Sequence, residues 1–110
     1  MKTPSRAQRL RIYIDESDRW QGRPLYQAVV EAAREEGLAG ATVMKGLLGF
    51  GSKSHLDSGR HLRLAENPPI VIEIVDSEAN VAAFLKRLDE LIREGFVTLD
   101  EVQRVSYTAQ

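Results

Sequence analysis

The sequence predicts an α+β fold of the ferredoxin-like type, a βαβ-βαβ two-layer sandwich with a four-stranded antiparallel sheet and two helices on one face. Stretches with strand and helix patterns follow one another as β-α-β and again as β-α-β, and a right-handed crossover in each unit gives this topology. The two halves also resemble each other. Each has an apolar strand that ends in aspartate, at Asp15 and Asp76, followed by a helix that ends close to a glycine.

The composition fits one globular domain. Of the 110 residues, 43% are hydrophobic and 28% are charged, and a chain of this size can bury one core without disulfides or metals. The absence of cysteine excludes disulfides, thiol nucleophiles and cysteine-ligated zinc. A net charge of −1 argues against a general nucleic-acid binder. No apolar run is long enough to span a membrane and the N-terminus has no secretory pattern, so we expect a cytoplasmic protein.

The first strong pattern is a strand. Leu10, Ile12 and Ile14 alternate with polar or aromatic residues, which is typical of a strand with one buried face. We therefore predict a flexible N-terminus over residues 1–7 and a single folded domain over residues 8–110, whose first strand ends at Asp15.

A helix and a second strand follow the polar loop 16–23. Pro24 suits the first turn of a helix, because its missing N–H costs nothing there. Apolar residues then recur at every fourth position: Leu25, Val29 and Ala33. This spacing predicts a buried helical stripe. Gly37 suits the left-handed conformation that ends a helix, and residues 40–48 are predicted as a strand that Gly46 weakens.

The second half repeats this order. Ile70–Val75 is a nearly unbroken β-branched run, typical of an inner strand that is covered on both faces. Asp76 or Ser77 is expected to cap the second helix. The apolar face of this helix consists of Val81, Phe84, Leu85, Leu88 and Ile92. Gly95 ends the helix, and the last strand is best placed over residues 102–107.

One face of the predicted sheet has no helix to cover it. If the three isoleucines of the inner strand pack beneath the helices, then Val71, Glu73 and Val75 lie on the open face. Exposed valines on a sheet favour coverage by another subunit, so we expect an oligomer, with a solvated face as the alternative. Glu73 needs a partner among its β-branched neighbours, and we expect an ion pair at a subunit interface rather than catalysis.

The end of the second predicted strand could hold a phosphate. The sequence there is Gly49-Phe50-Gly51-Ser52-Lys53. Glycines allow successive backbone N–H groups to converge on an anion, while Ser52 adds a hydroxyl and Lys53 a positive charge. A tight turn is the alternative, and the pattern matches neither a Walker loop nor a dinucleotide fingerprint.

Residues 51–61 have the composition of a flexible loop. His55, His61 and Asp57 are residue types that ligate metals, and a histidine with Ser54 and Asp57 could suggest a hydrolytic triad. The histidine spacing matches no helical metal pair, and a flexible loop cannot hold a triad in a fixed orientation. We therefore expect neither a metal site nor catalytic residues.

Several blocks of the chain resemble the PII signalling proteins. In that family a Gly-Phe-Gly strand end opens the long T-loop, and an Ile-Glu-Ile-Val strand like residues 72–75 returns from it. The similarity covers about residues 9 to 107 and is closest to an uncharacterised PII-like branch, domain of unknown function family 190. The further blocks are Pro24-Leu25-Tyr26, Gly37-Leu38-Ala39-Gly40-Ala41-Thr42-Val43, Pro69 to Asp76 and Glu94-Gly95-Phe96-Val97-Thr98-Leu99.

This resemblance implies a homotrimer whose sheets face inward and whose three intersubunit clefts bind adenine nucleotides. It implies a regulatory role without catalysis, in which the loop signals to a partner such as a membrane transporter. The nucleotide-binding residues implied are Gly49, Phe50, Gly51, Ser52, Lys53 and Arg104. The partner-loop residues implied are Ser54, His55, Asp57, Arg60 and His61.

The chain departs from the PII pattern before its last strand. PII proteins carry a second phosphate loop there, rich in glycine and lysine, whereas residues 93–101 contain three acids and one glycine. We therefore expect AMP or ADP rather than ATP, as a ligand and not as a tightly bound cofactor. The loop over residues 51–61 is also shorter than a T-loop and has no tyrosine to modify.

Three other functions remain open at this point. A phosphate-handling enzyme of the acyl-phosphatase type would need an asparagine at the phosphate loop, and Asn67 and Asn80 lie away from it. A metal-binding trimer of the divalent-cation-tolerance type would share the fold. A single-strand RNA module would display aromatic residues on its central strands, where only Tyr13 is found.

Overall fold

A computed structural model describes residues 1–49 and 68–109 of the chain. The larger strands are β1 (Lys2–Asp15), β4 (Thr42–Lys45), β5 (Pro69–Asp76) and β6 (Phe96–Tyr107). They form one antiparallel sheet in the order β4-β5-β1-β6. The remaining elements are the short strands β2 (Arg19–Trp20) and β3 (Arg23–Pro24) and the helices α1 (Leu25–Glu35) and α2 (Glu78–Leu91). The predicted ferredoxin-like α+β fold is confirmed.

The core lies between the sheet and the two helices. Alternate residues of the two central strands are buried there: Leu10, Ile12 and Ile14 of β1, and Ile70, Ile72 and Ile74 of β5. Phe84 of α2 is fully buried against them. Burial of each such side chain stabilises the fold by roughly 1.5–3 kcal/mol. The predicted inward face of both strands is confirmed.

A tight hairpin occupies the predicted loop 16–23. The two residues between β2 and β3, Gln21 and Gly22, have φ values of 49° and 82°. Positive φ at both central positions is what a type I′ turn requires, and this turn matches the natural twist of two antiparallel strands. Pro24 then occupies the N-cap position of α1. Gly37 has a φ of 79° just after this helix, as predicted.

The start of α2 is fixed by two side chains. The Ser77 hydroxyl accepts a hydrogen bond from the Asn80 N–H at 3.1 Å, which confirms the predicted cap. The buried Asp76 carboxylate accepts from the backbone N–H groups of Ser77 and Ala39 and from the Asn80 amide. Burial raises the pKa of Asp76, but these hydrogen bonds and the charge of Arg104 outweigh it, so the pKa lies below the ordinary 3.8.

The outer strands differ from the prediction. β1 begins at Lys2, so the segment predicted to be flexible is a strand paired with β6 as far as Tyr107. Backbone pairing holds this part together, and it buries too few side chains to produce an alternating sequence pattern. β6 begins at Phe96 rather than at residue 102. β4 spans only Thr42–Lys45 of the predicted residues 40–48.

Candidate functional site

The end of β4 and the start of β5 lie beside the end of β1. We call this region, which comprises Glu16, residues 45–49, Pro68 and Pro69, the loop root. Gly46 donates its N–H to the Pro69 carbonyl at 2.8 Å, and Glu16 donates to the Pro68 carbonyl at 3.0 Å. A Cβ atom on Gly46 would lie 2.5 Å from the Pro69 ring, and one on Gly49 would lie 3.3 Å from it. The close approach of the backbone to this ring therefore depends on glycine at residue 46, and Gly49 lies directly beside it.

Most of the predicted site lies outside the described residues. Of the predicted nucleotide-binding residues, this applies to Phe50, Gly51, Ser52 and Lys53. Of the predicted partner loop, it applies to Ser54, His55, Asp57, Arg60 and His61. Their roles stay predictions, and the structure describes only Gly49 and Arg104 among the predicted nucleotide-binding and partner-loop residues.

A cation at the loop root was missed by the sequence analysis. Lys45 is the last residue of β4, and its Nζ lies 2.9 Å from the Oε2 atom of Glu16. The hydrogen bond with Glu16 raises the pKa of Lys45, so the ammonium keeps its proton at neutral pH. A lysine at the end of an edge strand is common, so no local sequence pattern distinguishes Lys45.

Arg104 lies at the opposite end of the sheet. Arg104 belongs to β6 and pairs with Ser5 of β1. Its Nη1 donates to the Val75 carbonyl at 3.3 Å, while its buried Nε has no acceptor among the described residues. Val75 is six residues along β5 from Pro69, a distance of about 20 Å at the rise of a strand. One chain therefore does not bring Gly49 and Arg104 into a common site.

The sheet face without helices carries an apolar row that crosses all four strands. Met44, Val71, Tyr13 and Phe96 stand side by side in it, one from each strand. The rings of Tyr13 and Phe96 stack with centroids 4.6 Å apart and planes 12° apart. Phe96 nevertheless remains 60% exposed. The predicted placement of Val71 on the open face is confirmed, and that of Glu73 and Val75 is confirmed with it.

The charges next to this row are paired within the chain. Arg11 donates from Nε to Glu73 at 2.9 Å, and Arg9 reaches Asp100 at 2.6 Å. Glu73 thus has the ion-pair partner that it was expected to need, because the strand register places Arg11 directly opposite it. The expected position of this ion pair at a subunit interface stays a prediction. This hydrogen bond raises the pKa of Arg11. The open face therefore combines an apolar row with charges that compensate each other.

A cavity lies between the β2-β3 hairpin and the end of α2. Its volume is about 680 Å³. Its charged lining residues are Asp18, Glu90, Glu94, Arg19 and Arg93. Three carboxylates against two guanidinium groups do not favour a polyphosphate in this cavity.

Two other properties concern only the part of the chain that the structure describes. None of its helices is long and apolar enough to cross a membrane. No three histidine, aspartate or glutamate side chains within residues 1–49 and 68–109 are grouped as metal ligands would be. Both histidines of the chain lie outside these ranges.

Comparison with known proteins identifies relatives along nearly the whole chain. The model of the family DUF190, described as "Uncharacterized ACR, COG1993", matches residues 7–104. A UPF0166 protein of Aquifex aeolicus (strain VF5) is 33% identical over 94 residues, which cover 86% of this chain and 89% of that protein. A UPF0166 protein of Methanocaldococcus jannaschii is 36% identical over 88 residues, covering 80% of this chain and 81% of the relative.

A solved structure shares the fold. CPII from Thiomonas intermedia K12, a nitrogen regulatory PII-like protein bound to ADP, AMP and bicarbonate, matches with a TM-score of 0.65. The match covers 93% of this chain and 98% of CPII, at 16% sequence identity. At this identity the likeness establishes the arrangement of strands and helices.

Proposed function

We propose that this chain, which belongs to the DUF190 family and has the PII-like fold, is a regulatory protein without catalytic activity that binds an adenine nucleotide between subunits. The observation that carries the proposal is the separation of the predicted site into two halves. Gly49 marks one end of the sheet and Arg104 the other, about 20 Å apart along β5. Both can serve one ligand only if a neighbouring subunit supplies the second half.

The nucleotide phosphates bind at the loop root. Backbone N–H groups of residues 49–51, the Ser52 hydroxyl and the Lys53 ammonium provide donors there, and Arg104 of the adjacent subunit closes the cleft. AMP or ADP is favoured over ATP, because the segment around Glu94 adds carboxylates where a third phosphate would need cations. The nucleotides in the CPII structure support this choice of ligand class.

The assembly that forms these clefts is a homotrimer that packs through its open sheet faces. Burial of the apolar row that includes Val71 contributes most of the hydrophobic free energy of this contact. The ion pairs beside it, formed by Arg9 and Arg11, already have their partners within the chain, so covering them leaves no charge alone. Such a surface suits another copy of itself better than a highly charged partner.

The loop after Gly51 carries the signal. A nucleotide that contacts the loop root favours the loop conformations that complete its site, and a partner protein that reads those conformations responds to the ligand. The residues proposed to contact the partner are Ser54, His55, Asp57, Arg60 and His61. A membrane transporter is the partner class that the family resemblance suggests, reached from the cytoplasm.

Calorimetry of the assembled protein tests the ligand. AMP and ADP are expected to bind saturably and more tightly than ATP, with cyclic nucleotides included in the same panel. Substitution of Lys53 by Ala is expected to weaken binding, whereas Lys86→Ala removes the same charge from the exposed side of α2 and is expected to leave it unchanged. No binding across the whole panel would end the proposal of nucleotide sensing.

Mixed assemblies test whether each site spans two subunits. Lys53→Ala and Arg104→Ala each damage every cleft of their own homotrimer. When the two variants are unfolded and refolded together in equal amounts, about a quarter of the clefts combine an intact Lys53 with an intact neighbouring Arg104. Recovery of high-affinity binding in that fraction is the expected result. If Lys53 and Arg104 acted within one chain, mixing would restore no sites.

A further inference from the structure

We propose that the cavity between the β2-β3 hairpin and the end of α2 binds a small zwitterion, an α-amino acid with an apolar side chain. Its volume of about 680 Å³ lies within the range of about 300–1,000 Å³ that is typical of small-molecule sites. Its lining residues come from the hairpin region, the start of α1 and the end of α2, and none belongs to the four-stranded sheet. The proposed packing through the open sheet faces therefore involves none of these residues, and none of them is proposed to bind the nucleotide.

Part of the cavity lining is apolar. Leu25 and Leu91 belong to the hydrophobic core, with exposed fractions of 3% and 4%, and Trp20 adds a half-buried aromatic ring. The Arg23 guanidinium lies over this ring, 5.6 Å from its centroid, and pairs with Glu31. Arg23 is not itself part of the lining, so it holds the ring without filling the cavity. An apolar ligand side chain can pack against this ring with little ordering of the protein.

Asp18 fixes the hairpin that forms one wall of the cavity. It is only 8% exposed, and its Oδ2 atom accepts a hydrogen bond from the Asp15 N–H at 3.0 Å. Its backbone N–H donates to the Asp15 carbonyl at 3.1 Å, and its carbonyl accepts from the Leu25 N–H at 2.8 Å. These bonds tie the hairpin to the end of β1 and to the start of α1. The wall is therefore part of the fold and does not have to form when a ligand arrives.

Two exposed guanidinium groups in the lining can bind a carboxylate. They belong to Arg19 and Arg93. Neither has an ion pair or a side-chain hydrogen bond among the described residues, whereas Arg23 and Arg87 are both paired with glutamates. A guanidinium binds a carboxylate through two parallel hydrogen bonds. We therefore assign the carboxylate of the ligand to this part of the cavity.

The end of α2 favours the ammonium group of the same ligand. Glu90 lines the cavity from the last turn of the helix, which contains no basic residue. The carbonyl groups of that turn carry the negative end of the helix dipole, and a cation beside them is stabilised. A ligand with only negative charges would be repelled here, and a simple amine would be repelled by Arg19 and Arg93. A zwitterion pairs with both parts of the lining.

The fluorescence of Trp20 tests this assignment, because it is the only tryptophan of the chain and it lines the cavity. L-leucine, L-methionine and L-phenylalanine are added to the full chain without nucleotide, with calorimetry as the second measurement. At least one of them is expected to change the emission saturably. For leucine, two analogues isolate the charges: isocaproate lacks its ammonium group and isoamylamine lacks its carboxylate. Each is expected to bind at least about tenfold more weakly than the amino acid.

A double variant tests the proposed carboxylate contact. Arg19→Gln combined with Arg93→Gln removes both guanidinium groups and is expected to lower the affinity for the amino acid about tenfold. The matched control is Arg6→Gln combined with Arg34→Gln, which removes two exposed charges that do not line the cavity. This control should bind the amino acid as the wild-type protein does.

Three results would each overturn the proposal. The first is the absence of both a fluorescence change and binding heat with all three amino acids. The second is equal binding of isocaproate or isoamylamine, because one charge would then suffice; this comparison needs only wild-type protein. The third is unchanged affinity in the Arg19 and Arg93 double variant. Since no nucleotide is present, none of these results depends on the proposed nucleotide site.

Discussion

Gly95 joins the end of α2 to the start of β6, and its replacement by alanine tests how tightly the chain is held there. The backbone φ of 141° lies in a region that residues with a side chain rarely adopt. A Cβ atom would also lie 2.7 Å from the Tyr13 carbonyl oxygen and 3.2 Å from Cγ2 of Ile14. The first of these atoms is backbone in a central strand, so it cannot move aside without disturbing the pairing of β1.

The expected loss of stability follows from two separate costs. Holding a residue with a side chain in this backbone region costs about 1–3 kcal/mol. Forcing an extra carbon into a packed site costs about another 1–3 kcal/mol. The lower entropy of the unfolded alanine chain returns about 0.4–1 kcal/mol. Gly95→Ala is therefore expected to lower the free energy of unfolding by roughly 1–6 kcal/mol, against the roughly 5–15 kcal/mol typical of a domain.

Urea unfolding at one fixed chain concentration measures this loss, because the stability of an oligomer depends on concentration. Two other glycines separate the costs. Gly37 has a φ of 79° and no atom within 4 Å of an added Cβ. The Gly37→Ala variant therefore loses stability only through its backbone conformation, which costs about 1–2 kcal/mol. Gly40 has no left-handed φ and equally open surroundings, so Gly40→Ala should raise the free energy of unfolding by about 0.4–1 kcal/mol. If Gly95→Ala is no less stable than Gly37→Ala, the argument from close contact is refuted.

Three further predictions concern the core, acid stability and assembly. Phe84→Ala should lower the free energy of unfolding by about 3–5 kcal/mol in the same urea assay, since Phe84 is fully buried; a loss below 1 kcal/mol would contradict its place in the core. The lowered pKa of Asp76 means that its stabilising effect is present above pH 3.8 and is lost as the pH falls through the lowered value. Asp76→Asn should therefore be less stable at pH 7 and lose less stability on acidification; equal pH profiles for both proteins would contradict this. Val71→Lys should dissociate the assembly in sedimentation velocity, whereas Ala82→Lys on the exposed side of α2 should not; an intact Val71→Lys oligomer would exclude the open face as the interface.

The central strands could be predicted from sequence because their two faces differ in chemistry. Ile12 is buried under the helices while its neighbour Arg11 lies on the open face, so alternation along the chain reports the geometry directly. The first six residues of β1 carry no such signal. They form a strand by backbone pairing with β6, and Pro4 and Arg6 among them remain exposed. Local patterns do not report pairing between residues about 100 positions apart in the sequence.

Contacts between distant segments explain the other differences. The sequence indicated Gly95 as the end of a helix, but its close approach to Tyr13 depends on how β6 meets β1 in space. Glu73 was expected to need a partner, and the strand register decides that this partner is Arg11. Lys45 was not identified, because a lysine at the end of an edge strand is ordinary until the loop root forms around it.

The separation of Gly49 from Arg104 also changes how the open sheet face contributes to the proposed function. In the proposed trimer, this face determines which subunit lies beside each loop root. A substitution there, as at Val71, would weaken ligand binding without changing any phosphate-binding residue, because the Arg104 of the neighbouring subunit would be lost with the assembly. Nucleotide binding and assembly are then linked in both directions. A ligand held by two subunits stabilises their contact by the same free energy that their contact adds to ligand binding.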